Sequence, residues 1–406
     1  MIANRDFVII SSIEWDFLWQ GHQEIASRLA QSGNRVLYIE NTGVRSPELR
    51  DAGRVASRLK FWTRSWPSGG VRQVAPNLYV CAPVVMPPFG SSWQRRLNRQ
   101  LLLPLIRNAT RKLKLRDPVI LTYLPTDTAS DLIQLLRTPR SVVVYYCIAD
   151  FSQLTPRARL LKKSEAEVVK ASDLVFAQNA ELAAHCAQWT DEQAHIFPFG
   201  VNLDRFPARH DAVHVPAPDR DRSGPKAAGD LKFPRPVIGY VGGLHRHVDF
   251  DLLEAMARAR PEWSWVFVGP LQTSIGELRK LPNTHFLGQQ PHDAIAGYIN
   301  FFDICIVPYV NDTYTDTVVP TKINEYLAMG KPVVSTNLPF VRDFNRRHNV
   351  LFTSLSDPQS FLQTVEQALH HADDDETVKR RREVAALHNW ESRLDAMSEL
   401  IASKSG

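Results

Sequence analysis

Lys322 and Glu325 stand three residues apart in Pro320-Thr321-Lys322-Ile323-Asn324-Glu325-Tyr326-Leu327, a spacing that puts both side chains on one face of a helix's first turn. A lysine near the positive end of a helix dipole suits a phosphate, and a carboxylate one turn on can accept hydrogen bonds from both hydroxyls of a ribose. The plain alternative is an exposed i,i+3 ion pair worth about a few tenths of a kcal/mol. Pro320 and Thr321 are helix-start residues, and Gly330 ends the helix before an apolar strand, Pro332 to Ser335.

A second constellation follows another apolar run: Gly239-Tyr240-Val241-Gly242-Gly243-Leu244-His245-Arg246-His247. Gly242 and Gly243 lack side chains that would keep backbone N–H groups from a pyrophosphate, and Arg246 brings countercharge. The spacing is neither G-x-G-x-x-G nor G-x-x-x-x-G-K-[ST], which weighs against dinucleotide oxidoreductases and P-loop NTPases. A simple tight turn is the other reading of the glycine pair. Nearer the N-terminus, Asp150 follows the run Val142 to Cys147 and is a candidate general base or, equally, an N-cap. His22, with Trp15, Asp16, Trp19 and Gln20 after the first apolar run, could shape an acceptor site or fill a loop core. Asp219-Arg-Asp221 is a D-x-D sequence far from any strand end, and the histidines lack helical ligand spacing, so no metal site is expected.

The elements that must carry these residues alternate. Strand-like Phe7 to Ile10, a helical period over 20–31 and strand-like Val36 to Ile39 form one β-α-β unit, and the pattern continues to about Phe197. It lapses between 206 and 236, a stretch rich in Pro, Gly, Ala and charge, and resumes at Val237. Two α/β domains with mostly parallel sheets are therefore predicted: residues 1–205, a linker at 206–236, 237–386, and a late helix over 387–406. In such sheets ligands sit beyond the carboxyl ends of the strands, where both constellations fall.

The 406 residues are 44% hydrophobic and 22% charged, an ordinary globular balance. Four scattered cysteines point to neither a zinc site nor a disulfide framework, and no apolar stretch is long enough to span a bilayer; a cytoplasmic protein is expected. The net charge of +5 is unevenly spread, with 18 Lys or Arg against 8 Asp or Glu in residues 1–118. Met86 to Arg116 holds eight basic residues and no acid around Trp93 and Leu101-Leu-Leu-Pro-Leu-Ile106. Such a segment can lay its apolar side among lipid tails while Arg95, Arg96, Arg99, Arg111, Lys112 and Lys114 meet anionic headgroups, or it can be a surface helix with a solvated face. No recognised nucleic-acid-binding module accompanies the charge, so nucleic acid is not an expected partner.

The segments GYVGGL, VFVGP, HFLG, FFDICIVPY and PTKINEYLAMGKPVVST resemble the donor-binding domain of nucleotide-sugar glycosyltransferases with two Rossmann-like domains, the GT-B fold, in the bacterial group-1/family-4 branch. IEWDFLWQGHQEIASRLAQSGNRVLYIEN, VVVYYCIADFSQL, SDLVFAQNAEL and FPFGVNLDRF extend the likeness into the front half. The resemblance implies a deep cleft between the domains, a final helix around Trp390 crossing back to the first, and transfer of a sugar from a UDP- or GDP-sugar to a glycan or lipid-linked acceptor in envelope polysaccharide synthesis. It implies donor contacts at Gly242, Gly243, Arg246, Pro308, Thr321, Lys322 and Glu325, no metal or other cofactor, and retention of anomeric configuration. The family's first glutamate of a pair eight apart is missing: Thr317 holds that place, with Asp316 as the neighbouring substitute. The rival readings are an inverting transferase with Asp150 as base, a nucleotide-sugar epimerase, and a non-catalytic sugar-nucleotide or membrane-surface binding protein.

Overall fold

The computed structural model describes residues 1–40, 70–83, 92–155, 158–207, 233–371 and 374–405. Two compact units emerge: Met1–Pro198 together with Glu391–Gly406, and Phe199–Trp390. Most of the stretch read as a linker, 208–232, and with it Asp219 and Asp221, lies outside the described residues.

Among the described residues, the first unit is built on an eight-stranded sheet: β1 (Asp6–Ile10), β2 (Arg35–Ile39), β3 (Val71–Ala75), β4 (Leu78–Cys81), β5 (Val119–Thr122), β6 (Val142–Cys147), β7 (Leu174–Ala177) and β8 (His195–Ile196). The order is β3-β4-β2-β1-β5-β6-β7-β8, with β3 alone antiparallel to its neighbour. Its helices are α1 (Gly21–Gln31), α2 (Ser92–Lys112), α3 (Asp127–Leu136), α4 (Ala158–Ala171) and α5 (Ala180–Cys186). Strands β1, β5, β6 and β7 are buried along their whole length, as parallel strands covered on both faces must be. The sequence reading missed β3, whose alternating half-exposed residues lack the apolar run of a central strand.

The second unit carries six parallel strands: β9 (Val237–Val241), β10 (Ser264–Val268), β11 (Thr284–Phe286), β12 (Ile304–Val307), β13 (Val333–Thr336) and β14 (Phe352–Ser354). Its helices are α6 (Phe250–Ala259), α7 (Ile295–Phe301), α8 (Lys322–Ala328), α9 (Pro339–His348), α10 (Pro358–His370) and α11 (Asp375–Ala386). The order β11-β10-β9-β12-β13-β14 is the doubly wound 3-2-1-4-5-6 arrangement, which reverses direction between β9 and β12. In the first unit β4-β2-β1-β5-β6-β7 repeats it, with the reversal between β1 and β5. Each unit therefore has one crevice where a ligand can enter, and the residues at its mouth are fixed by topology.

Gly239 shows how tightly β9 is packed. A Cβ at that position would stand 2.0 Å from the Phe302 ring, so only glycine fits. This glycine opens the GYVGG segment but serves the core.

The last helix, α12 (Trp390–Ser403), joins the first unit from Glu391 on. Leu394, Met397 and Ile401 bury themselves against Phe7, Ile25 and Phe176. Arg28 bonds Glu391, and the terminal amine of Met1 bonds Asp395. The segments on either side of the passage between units are paired within the second: Val201 bridges Asn389, and the Phe199 and Trp390 rings lie 5.7 Å apart. For that reason 199–205, assigned from sequence to the first domain, pack with the second.

Candidate functional site

At the crevice of the second unit, the chain leaves β9 through Gly242, whose φ of +142° few other residues tolerate. Its N–H donates to the Val268 carbonyl at 2.9 Å, and a Cβ on Gly269 would come within 1.9 Å of the Gly242 oxygen, so two backbone turns touch here. A Cβ on Gly243 would meet the Gln272 amide at 2.6 Å. Gly242 is thus required by its backbone angle, whereas a Cβ on Gly243 would displace only the movable end of the Gln272 side chain.

Lys322, the first residue of α8, reaches across to this turn. Its ammonium donates a hydrogen bond to the Tyr309 hydroxyl and lies 4.7 Å from the Tyr309 ring centroid and 5.2 Å from that of Tyr240. Its Cε would be 3.1 Å from a Cβ on Gly242. Tyr240 is the penultimate residue of β9, Tyr309 follows β12 after the buried Pro308, and Tyr326 of α8 accepts the Val241 N–H at 2.8 Å, pinning helix to strand. Burial drives the Tyr240 and Tyr326 hydroxyls far above the usual phenol range, so both stay neutral beside the cation. Glu325 is half-buried one turn along from Lys322. Thr321 adopts helical backbone angles, and its side chain makes no capping bond.

The rest of the mouth carries aromatic rings and charges of both signs. Arg246 is exposed, 3.3 Å from His247. The His247 ring stacks on Tyr314 with centroids 4.2 Å apart and approaches Asp312 at 3.5 Å. Asp312 caps the turn that precedes α8 by accepting the Thr315 N–H at 2.8 Å. In that turn Asp316 is exposed, and the Thr317 hydroxyl donates to the Tyr314 carbonyl at 2.9 Å. The structure thus gathers Gly242, Gly243, Lys322 and Pro308 at one crevice and adds Tyr240, Tyr309, His247 and Tyr314. Those four were not singled out from sequence; for Tyr240 and Tyr309 the available signal was a position at the end of an apolar run.

In the first unit each of the residues expected on the acceptor side has a partner within that unit. His22 is 1% exposed, with its ring 4.0 Å from Tyr123 and Nε2 3.0 Å from the Ser12 hydroxyl. Burial lowers its pKa to about 3, so it is neutral. A ring so enclosed accords with the second of the two sequence readings, a residue filling a loop core. The Trp19 indole donates to Glu24 at 2.7 Å, the Trp15 N–H donates to Glu40 at 3.1 Å, and the Trp15 ring meets Tyr38 edge-on at 5.1 Å. Gln20 starts α1, with its N–H donating to the Gln23 side chain at 3.0 Å, and Asp16 bonds Arg72 at the surface.

Asp150 is an N-cap. Its carboxylate accepts from the Ser152 N–H at 3.0 Å, the Ser152 hydroxyl at 2.6 Å and the Gln153 amide at 3.0 Å. Burial pushes its pKa up, but these donors and the nearby His185 outweigh it and hold the carboxyl below the usual carboxylate range. A general base would need the opposite shift.

Residues 235–371 match the family described as glycosyl transferases group 1. Over 265 residues, 61% of this chain, the sequence is 28% identical to TuaH of Bacillus subtilis (strain 168), a putative teichuronic acid biosynthesis glycosyltransferase. The match spans 64% of that relative's length. Sucrose-phosphate synthase from Thermosynechococcus elongatus superposes with a TM-score of 0.69 at 18% identity over 98% of both chains. HepE from Anabaena, solved with UDP and glucose, gives 0.64 at 13% identity over 98% of this chain and 99% of its own. The two doubly wound sheets are the GT-B fold.

Proposed function

We propose, from the match of residues 235–371 to the group 1 glycosyl transferases, that the chain transfers a sugar from a nucleoside diphosphate sugar to a glycan or lipid-linked acceptor in envelope polysaccharide synthesis. The observation that carries this is the Lys322 ammonium, held between Tyr240 and Tyr309 beside the side-chain-free turn at Gly242. A diphosphate placed there meets a cation with a fixed position and backbone with no side chain in the way. Charge that develops on the departing nucleoside diphosphate is met by Lys322 and Arg246, which is the main electrostatic demand of the reaction, and this reading needs no metal. Glu325 takes the ribose, and the stacked His247 and Tyr314 border the sugar. UDP is the favoured nucleotide, in keeping with the UDP in the HepE structure, and an envelope acceptor accords with the teichuronic acid named for TuaH. All four cysteines are buried thiols, which suits a reducing compartment.

The depressed pKa of Asp150 and its three hydrogen bonds count against that residue as a general base, and we therefore favour a retaining course. Calorimetry across UDP-, GDP-, ADP- and dTDP-sugars, followed by NMR of the anomeric proton of the product, tests the whole reading. Nucleotide binding without transfer to any acceptor would leave a binding protein instead, and an inverted linkage that disappears in Asp150→Asn would restore that residue as base.

A further inference from the structure

Of the basic segment at 86–116, the described residues begin at 92, and 92–112 form α2. On α2, Leu102, Ile106 and Ala109 are at most 1% exposed and pack into the core of the first unit. Arg95 bonds Asp131 of α3 at 2.9 Å, a carboxylate only 3% exposed, and Arg99 lies 3.7 Å from the same group. The apolar side of the helix is therefore spent on the protein and closed to lipid tails, and Arg95 is spent on Asp131. That corrects the expectation that this side enters a bilayer.

The opposite side is a different surface. Trp93, Pro104, Arg107 and Arg111 are spaced i, i+11, i+14 and i+18, which puts them within about 40° of one line along the helix. All four are exposed, as is Arg96, and Trp93 and Leu101 leave 56% and 57% of their area in solvent. Exposed indole and leucine alternate with guanidinium groups along a helix that has no acidic residue. A soluble acidic polymer would answer the cations and leave Trp93 and Leu101 unused. The headgroup layer of an anionic bilayer answers both, because indoles settle at that depth and arginines pair with lipid phosphates.

We propose that the outer face of α2, with Trp93 and Leu101 as shallow anchors and Arg96, Arg107 and Arg111 as headgroup contacts, docks the first unit on an anionic phospholipid surface. The helix stays folded on its core and meets lipid as a rigid face. The proposal stands apart from the glycosyltransferase reading, since docking is measured without turnover.

The test is sedimentation of the full chain with vesicles of phosphatidylglycerol in phosphatidylcholine and with phosphatidylcholine alone. Binding to the anionic vesicles only, weakened by salt, is expected. Arg96→Glu, Arg107→Glu and Arg111→Glu combined should lower the bound fraction at least about tenfold, and Trp93→Ala with Leu101→Ala should lower it several-fold. Brominated lipid should quench the tryptophan fluorescence of the parent protein more than that of Trp93→Phe, a readout that holds even if the charge-reversed variant folds poorly. Failure to bind anionic vesicles would overturn the proposal. So would undiminished binding by the Trp93→Ala, Leu101→Ala variant with displacement by soluble polyglutamate, which would make the face a general polyanion site.

Discussion

The Lys322 ammonium donates to the Tyr309 hydroxyl while lying 4.7 Å from the centroid of the same ring, so one tyrosine holds the cation by both its polar end and its face. The two residues start α8 and follow β12, elements that meet where the strand order reverses.

Removing the cation should cost nucleotide binding directly. Lys322→Ala is expected to weaken UDP by about 1 to 3 kcal/mol, the range of a charge-assisted bond and of a buried partner left unpaired. Tyr309→Phe keeps the ring and loses only the hydroxyl, so it should cost less. Calorimetry with UDP checks both, and equal affinity in Lys322→Ala would remove the lysine from the site.

Glu325→Ala should distinguish ribose from phosphate. Its loss of affinity for UDP should exceed its loss for inorganic pyrophosphate, measured in parallel titrations. The same loss for both ligands would place Glu325 away from the ribose.

Gly239→Ala should destabilise the second unit without touching any ligand. The added methyl meets the Phe302 ring at 2.0 Å, and overpacking of this kind costs about 1 to 3 kcal/mol. Urea unfolding should show the loss, and Phe302→Leu in the same chain should return part of it.

Acid should unfold the first unit partly through His22. Its pKa is about 3 in the folded chain, against about 6.5 when unfolded. The unfolded chain therefore takes up a proton that the native one refuses, and the stability present above about pH 6.5 falls as pH drops toward the folded value. Unfolding free energies measured across that window should be flatter for His22→Phe than for the parent.

Asp150 works in the same direction at lower pH. A depressed carboxyl contributes stability above its unfolded pKa, about 3.9, and loses it as pH falls through the folded value. Asp150→Asn should accordingly lower the melting temperature near neutrality and cease to matter in strong acid. The anomeric configuration of the product should be the same in the variant and the parent.

Much of this architecture was legible from apolar runs, because buried parallel strands such as Val142–Cys147 and Ile304–Val307 leave no polar alternation to confuse them. The same patterns placed Gly242 and Gly243 just after a strand and Lys322 at a helix start, where the structure has them. The tyrosine cage around Lys322 was not legible, since it joins positions 240, 309 and 322 through a crossing that only the sheet order creates. Nor does spacing reveal the setting of His22, whose ring the rotation along α1 turns inward onto Tyr123. Asp131 gave no sign that it would bind Arg95, 36 residues earlier.

The placement of α12 bears on how the chain is made. Phe7, Ile25 and Phe176 are among the early residues to leave the ribosome, yet the side chains that cover them, Leu394, Met397 and Ile401, come after the whole of the second unit. During synthesis the first sheet must wait with a greasy strip uncovered while nearly two hundred further residues are added and folded. A nascent chain stalled near residue 390 should be a ready client for chaperones, and one stalled past 403 should not.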